Sequence, residues 1–379
     1  MAQTFDVIVL GAGISGLSAA RELARRGLRV VVIERDEPGS HASLAAAGIL
    51  VSRGVVASDV AGRMFYTRSL AGYQEWTSAV AKESGHDLRL QVGDDWCFFC
   101  HGGRADRFRQ RLEREADPAR WEEVAAPPVG MREFVKDRPW RIFRFPGERW
   151  CVPNELMGAL QISALNSGAR VVSEAGMPAV KDVSGVWSVE TAKGIFEAPV
   201  LVVAAGPWTG LALQSLGWGA NLVPVRGQLA LVPRLHGLDA MVHLEDTFYA
   251  VPRGDQSLVG ATVEHGQWSE NTTAQGLHEL QSRLQTLFPH LDLSKATRVW
   301  AGIRPRTRDR VPHLGWLEKG RLLVASGHYR SGISMAPRNG EVVADLVQGG
   351  ALPSDALELD PLRISGGYRK IDPVDGAMR

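Results

Sequence analysis

The 379-residue sequence has three cysteines, no block of like charge, and no apolar run near the roughly 20 residues of a membrane span. Each shortage narrows the field. Lysine and arginine number 43 against 42 aspartates and glutamates, a net charge of +1, so neither nucleic acid nor an anionic membrane is the expected partner. The most basic stretch, RADRFRQRLERE (104–115), interleaves Arg with Asp and Glu at helical spacing and reads as a solvated helix face. Cys97 and Cys100 form one C-x-x-C, a second for zinc is missing, and Cys151 stands apart. A redox pair and two structural thiols are the open readings. The aromatic, strand-like setting favours structural thiols, because no helix N-terminus is there to lower a thiol pKa. There is no serine nucleophile with a base, no pair of catalytic acids and no metal-ligand cluster. His41, His101, His265, His313 and His328 are scattered and read as structural, and no metal is expected. Internal repeats and low-complexity linkers are also missing. With 45% hydrophobic residues, the length suits about two to three domains of an ordinary globular protein.

What is present begins at the N-terminus. TFDVIVL reads as a buried strand, and Gly11, Gly13 and Gly16 complete G-x-G-x-x-G. A helix is expected from about Ser15 to Arg26, with Leu17, Ala20, Leu23 and Ala24 at helical spacing and Gly27 ending it. LRVVVIE then closes a β-α-β unit. The first glycine makes the tight turn, the second admits a pyrophosphate, and the third lets helix and strand pack closely. The pyrophosphate meets the free N–H groups at the helix start. Glu34, at the tip of the second strand, is placed to bind ribose hydroxyls, and its charge disfavours a 2′-phosphate. Because the first strand feeds straight into the glycine loop, it is not a signal peptide, and a cytoplasmic location is expected. The unit specifies a dinucleotide but does not separate NAD from FAD.

Further along, a helical stretch is expected to about Gly85, then a strand-rich, Trp- and Arg-rich segment to about Arg149. Residues 152–172 read as a helix capped near Asn154 that feeds a strand. EAPVLVVAAGPWTG (197–210) is a buried strand with Ala205 and Gly206 at its C-terminal edge, where open α/β sheets bind ligands. VPVRGQLALV and FYAVPRGDQSLVGATVE alternate like antiparallel strands, the latter turning at Gly254-Asp255. TAQGLHELQSRLQTLFP is an amphipathic helix.

The small-residue loop GSHASLAAAGIL (39–50), with Ser43, Ala46, Ala47, Gly48 and Ile49, resembles the loop that lies against the isoalloxazine ring in one family. That family is the FAD-dependent amino-acid and amine oxidoreductases of the D-amino-acid oxidase fold, and within it the glycine oxidases. WAGIRPRTRDRVPHLG (300–315), GHYRSGISMAP (327–337) and FYAVPR (248–253) are similar to further family segments, in the expected order along nearly the whole chain. The resemblance implies that Arg304 fixes a substrate carboxylate, a task suited to a planar guanidinium and closed to lysine. A surface arginine beside Arg306, Arg308 and Arg310 is the plainer reading of that residue. Tyr249 and Arg330 join Arg304 as implied catalytic residues. Gly327, His328, Tyr329, Arg330, Ser331, Gly332 and Ile333 are implied to wrap the flavin pyrimidine edge, with a helix N-terminus favouring the negative charge that arrives there. Ile14, Ser15, Arg35 and Val180 complete the implied cofactor-binding set.

The implied activity is oxidative deamination of glycine or another small primary or secondary amino acid. A hydride passes from Cα to flavin N5, the imine is hydrolysed, and O2 is reduced to H2O2. A dehydrogenase passing electrons from a D- or N-methyl amino acid to a quinone or protein acceptor is the close alternative. A non-catalytic flavoprotein subunit is the distant one. Relatives acting on sarcosine attach their flavin through a cysteine just after the position of Trp300; none stands here, so non-covalent FAD is expected. A homotetramer and a role in thiamine synthesis are also implied. Arg306 and Arg308 stand where the family often has Gly and Pro; they either tighten the hold on anionic substrates or face solvent. Segment 86–149 is a candidate for shaping the substrate pocket. The expected fold is α/β: a Rossmann-like FAD-binding domain from residues 1–85, 150–222 and 302–379, plus an α+β substrate domain with an antiparallel sheet from 86–149 and 223–301.

Overall fold

The structure, a computed structural model, describes residues 2–53, 62–115, 120–127, 129–132, 138–219, 222–235, 238–245, 248–363 and 368–370. Val7–Leu10, Val30–Ile33, Val200–Val203 and Leu322–Ser326 are short apolar runs, nearly all of them buried. Such runs make parallel strands covered on both faces. They lie side by side in the order Arg170–Val172, Val30–Ile33, Val7–Leu10, Val200–Val203, Leu322–Ser326, and His313–Glu318 closes the far edge antiparallel. Alternate side chains go to opposite layers. Val7, Val9, Val30, Val32 and Val202 pack under the helices Ile14–Arg25, Pro153–Asn166 and Gly332–Val347. Ile8, Leu10, Val31, Ile33 and Val203 pack against Trp187, Val189 and Phe196 of a four-stranded sheet. The nucleotide-type layer is thus built from separated stretches of chain, as expected.

The second sheet has ten strands. Eight run in the order Glu264–His265, Leu222–Pro233, Gln256–Gly260, Phe248–Arg253, Met241–Leu244, Gln91–Phe99, Arg141–Trp150 and Ile49–Leu50. Arg298–Thr307 adds to Leu222–Pro233, and Glu122–Val124 adds to Arg141–Trp150. All pairs are antiparallel except Met241–Leu244 with Gln91–Phe99. Its outer face is covered by the helix Ala274–Leu287, whose Leu280, Leu284 and Leu287 meet Trp96, Phe98, Val242 and Phe248. Thr273 caps that helix by accepting from the Gly276 N–H at 3.2 Å.

Four expectations need correction. The strand Arg298–Thr307 pairs without interruption from Arg298 to Thr307, so a boundary at 302 cuts a continuous ladder. Ile49–Leu50 is a strand of the second sheet, and the helices after it are Arg63–Ala71 and Tyr73–Ser84, separated by Gly72; residues 54–61 lie outside the described ones. The helix at 153–166 starts with Pro153 in its first turn after Val152, where the fixed proline φ suits the helix and its missing N–H costs nothing, and it carries no side-chain cap. RADRFRQRLERE does form a helix, Gly102–Glu115, but Ala105, Phe108 and Leu112 bury one stripe against Phe99, Phe143 and Phe145.

Candidate active site

A cavity of about 390 Å³ draws its lining from both large sheets. One end is built by the glycine loop. Gly11 has φ +101°, and a Cβ there would meet the Ala204 carbonyl oxygen at 2.6 Å. Gly16 does not line the cavity; a Cβ on it would lie 1.9 Å from the Gly11 oxygen, so it sets the closeness of helix and loop. Ser43 Oγ accepts from the Ile14 N–H at 3.0 Å, tying the alanine loop to the helix start. Buried Glu34 accepts from the Ala12 N–H at 2.7 Å and the Asp36 N–H at 3.1 Å. Arg35 lies over the Trp208 ring at 4.3 Å and pairs with Asp36 at 2.7 Å. His41 bridges Glu270 at 2.7 Å and Asp36 at 2.8 Å, and the Glu270 bond leads in holding its pKa above the usual imidazole value.

The middle is walled by small residues. Ala45, Ala46, Ala47, Gly48 and Ile49 line it. Gly48 has φ +68°, and a Cβ would sit 2.1 Å from the Cys151 carbonyl oxygen behind the loop. On the opposite side Gly302 makes room, since a Cβ there would be 2.3 Å from Ala45 Cβ. Arg253 of the second sheet donates to the Ala47 carbonyl.

The other end is cationic. Arg304, Arg330, Arg53 and Arg111 line it together with Tyr249 and His243. Arg304 Nη1 donates to the Thr262 carbonyl at 3.2 Å, and its charge acts on the Tyr249 phenol nearby. Burial works against the Arg304 charge and lowers its pKa, with the Tyr249 phenol pulling the other way. Burial raises the Tyr249 pKa, an effect the Arg304 and Arg330 charges only partly offset. The His243 and Tyr249 rings lie 6.0 Å apart on paired strands. Beneath them fully buried Asp95 accepts from His243 Nδ1 at 2.6 Å and Arg53 Nε at 2.8 Å. Burial alone would raise the Asp95 carboxyl, but its contacts with His243 and Arg53 outweigh it and hold the pKa at about 2.

Most of the expected residues meet at this cavity. Gly11, Gly13, Ile14, Ser15, Glu34 and Arg35 line it, as do Val180, Ala205, Gly206, His328, Tyr329, Gly332 and Ile333. Gly16, Gly327 and Ser331 do not. Gly327 has φ +82° and packs on Thr307, while Ser331 is buried at the start of the helix Gly332–Val347. His328 is buried, which lowers its pKa to about 4, and its Nε2 meets Asn339 Oδ1 at 3.2 Å. Arg306 and Arg308 are not lining residues: Arg306 faces His265 at 3.4 Å and Arg308 is exposed. Sequence reasoning missed Arg53, Arg111, Trp208 and His243. Only topology brings these together, and only Arg111, in a helix read as solvated, carried a prior reading.

A family model described as FAD-dependent oxidoreductase (DAO) matches residues 6–346. The chain belongs to that family. A glycine oxidase of Bacillus licheniformis is 30% identical over 370 residues, which cover 94% of this chain and 97% of the relative. A bifunctional ThiO/ThiG protein of Trichormus variabilis is 29% identical over 91% of this chain, matching 53% of its own length. The crystal structure of a Geobacillus kaustophilus glycine oxidase superposes with a TM-score of 0.87 at 27% identity, covering 95% of this chain and 98% of the other.

FAD is the cofactor of this family, and the residues present fit it. Two helix N-termini, at Gly13–Ser15 and Gly332–Ile333, open on one cavity and suit a pyrophosphate and an electron-rich ring edge. The glycine and alanine positions between them leave a cradle that a Cβ at Gly48 or Gly302 could not enter without moving backbone. As a member of the family the protein is an oxidoreductase. Among the described residues, three sets of side chains have metal-ligating atoms within 4.8 Å: Asp95–Cys97–His243, Cys100–His101–Glu245 and Glu34–Asp36–His41. The sequence showed none of these clusters. In each, a guanidinium (Arg53, Arg104 or Arg35) binds one of the acids.

Proposed function

We propose that the protein oxidises a small primary or secondary amino acid at its α-carbon, and that O2 takes up the electrons as H2O2. The observation that carries this reading is that Arg304 and Tyr249 line the same cavity as the nucleotide loop and the alanine wall. Bound FAD supplies two-electron acceptance, which turns the substrate CH–NH unit into an imine that water hydrolyses. The remaining work is alignment. Arg304 takes the carboxylate with two parallel charge-assisted bonds, and Tyr249 adds a hydroxyl and excludes water. The guanidinium groups around the substrate also act on its amine: positive charge nearby disfavours the ammonium form, so the nitrogen keeps its lone pair. Arg330 contributes to that field.

The same reading makes the six-stranded layer the FAD-binding domain and the ten-stranded layer the substrate domain. It also assigns the cofactor-binding role to the expected loop residues and makes the flavin non-covalent, the assembly a homotetramer and the setting the cytoplasm. Similarity to glycine oxidases and to a ThiO/ThiG protein supports glycine as the reference substrate and thiamine synthesis as the setting. Anaerobic mixing with amino acids, followed by oxygen uptake and peroxide measurement, tests this. Bleaching of the flavin band near ~450 nm is expected with the true substrate. A flavin that no amino acid bleaches would overturn the proposal.

A further inference from the structure

Three side chains with metal-ligating atoms converge at one end of the second sheet. Cys100 follows the strand Gln91–Phe99, His101 precedes the helix Gly102–Glu115, and Glu245 follows the strand Met241–Leu244. Those two strands pair in parallel, so their C-terminal ends lie side by side, and the Glu245 N–H donates to the Phe98 carbonyl at 2.8 Å. Cys100 Sγ lies 3.1 Å from His101 Nδ1 and 3.5 Å from Glu245 Oε1, and Nδ1 lies 3.2 Å from that same oxygen. A sulfur, an imidazole nitrogen and a carboxylate oxygen thus form a closed triangle. None of the three residues lines the cavity described above. Cys97, the other thiol of the C-x-x-C, is buried in the aromatic cluster with Phe99, Phe108 and Phe143 and takes no part in the triangle.

A tetrahedral ion with ordinary Zn–S, Zn–N and Zn–O lengths sets its ligand atoms about 3.4 to 3.6 Å apart, so the triangle needs to open by at most about 0.5 Å. The acid is already turned for the task. Arg104, in the first turn of the helix, pairs with the Oε2 oxygen of Glu245, which fixes the carboxylate and leaves Oε1 in the triangle. Access is open on one side, since the Glu245 side chain is 11% exposed and that of His101 71%. We propose that Cys100, His101 and Glu245 bind a zinc ion, with water in the fourth position. On binding, the Sγ–H bond of Cys100 gives way to an Sγ–Zn bond, the proton passes to water, and nothing is oxidised or reduced. The mixed sulfur, nitrogen and oxygen set suits zinc and is unsuited to magnesium or calcium, which take oxygen ligands. Arg104, and Arg138 whose charge reaches Cys100, oppose a further cation, so the site is weaker than a four-ligand structural one. The ion ties the ends of two strands to the start of a helix.

The test titrates zinc into tag-free holoenzyme by calorimetry. One ion per chain should bind with a Kd of about 10 µM or tighter, and magnesium should not compete. Cobalt(II) reports the donor set: ligand-field bands beyond the flavin absorption and, in the difference spectrum, a thiolate charge-transfer band. His101→Gln removes an exposed ligand without touching the core and should weaken zinc by about 100-fold or more, at or above the cost of losing a supporting residue. Cys100→Ser should weaken it likewise and abolish the charge-transfer band. Zinc should raise the Tm of the parent protein and leave that of His101→Gln where it was. No binding, or binding that both variants retain at the parental affinity, overturns the site, as does cobalt bound without a thiolate band. Because the triangle lies outside the cavity, amino-acid oxidation stands or falls separately.

Discussion

Gly227 leaves the space that the Arg304 guanidinium fills: a Cβ on Gly227 would lie 2.0 Å from Arg304 Nη2 and 2.3 Å from Cζ. The two belong to paired strands, where Gly227 faces Gly302 and Arg304 faces Val225. The proposed carboxylate clamp therefore depends on a neighbouring strand position that carries no side chain of its own. Gly227→Ala should push the guanidinium aside and lower kcat/KM for the amino-acid substrate by about 10- to 100-fold, the worth of one lost charge-assisted bond pair. Flavin content should stay at the parental level. Steady-state kinetics with the flavin-to-protein ratio measured on the same sample checks this, and unchanged kinetics would refute the placement. Arg304→Lys should be no better, for lack of a planar fork.

Glu34 is held by two backbone donors, Ala12 and Asp36, with its carboxylate at the nucleotide end of the cavity. Glu34→Gln keeps the shape but gives up the charge and one strong acceptor. The dissociation constant for FAD should rise by about tenfold. Titrating apoprotein with FAD and following flavin fluorescence reads that value directly. An affinity equal to the parent's would mean the acid serves the loop alone.

Much of this was legible because the relevant signals are local. Glycine spacing, a buried strand on either side and an acid at the second strand tip define the nucleotide end without any tertiary information. The hairpin turning at Gly254-Asp255 and the helix capped by Thr273 are equally local, and both are where the pattern puts them. The cationic end is different. Arg53 follows a strand in the first sixth of the chain, Arg111 sits on a helix, and His243 comes from the middle of a sheet. Their meeting depends on the parallel pairing of Met241–Leu244 with Gln91–Phe99, which no periodicity announces. Arg306 and Arg308 had two open readings for the opposite reason. They alternate with Arg304 at period two, yet Arg306 is drawn to His265 and Arg308 lies beyond the strand end.

His328 should govern acid stability. Its pKa is about 4 in the folded protein because the ring is buried, against about 6.5 in an unfolded chain. Between those values the unfolded state takes up a proton that the native state refuses, so stability falls as pH drops from about 6.5 to 4. The full effect is of order 3 kcal/mol. His328→Gln, which keeps a donor for Asn339, should flatten that part of the profile. Denaturant melts across the range provide the check, and an equally steep decline in the variant would assign the effect to other groups.

Glu148 acts in the opposite direction. It is buried beside Ser52, whose backbone N–H donates to it at 2.8 Å, and burial raises its pKa to about 7 with the Asp95 charge adding to the rise. An unfolded glutamate ionises near 4.3. Its contribution is therefore fully present below about pH 4.3 and is lost as pH climbs through 7, where the native state is forced to hold a buried anion near Asp95. Glu148→Gln stays neutral throughout, so it should gain on the parent protein as pH rises, by up to roughly 3 kcal/mol at pH 8 relative to pH 4. Urea unfolding of both proteins at the two pH values measures the difference. Curves that move in parallel would place the carboxylate's charge in contact with water rather than in the wall behind Arg53.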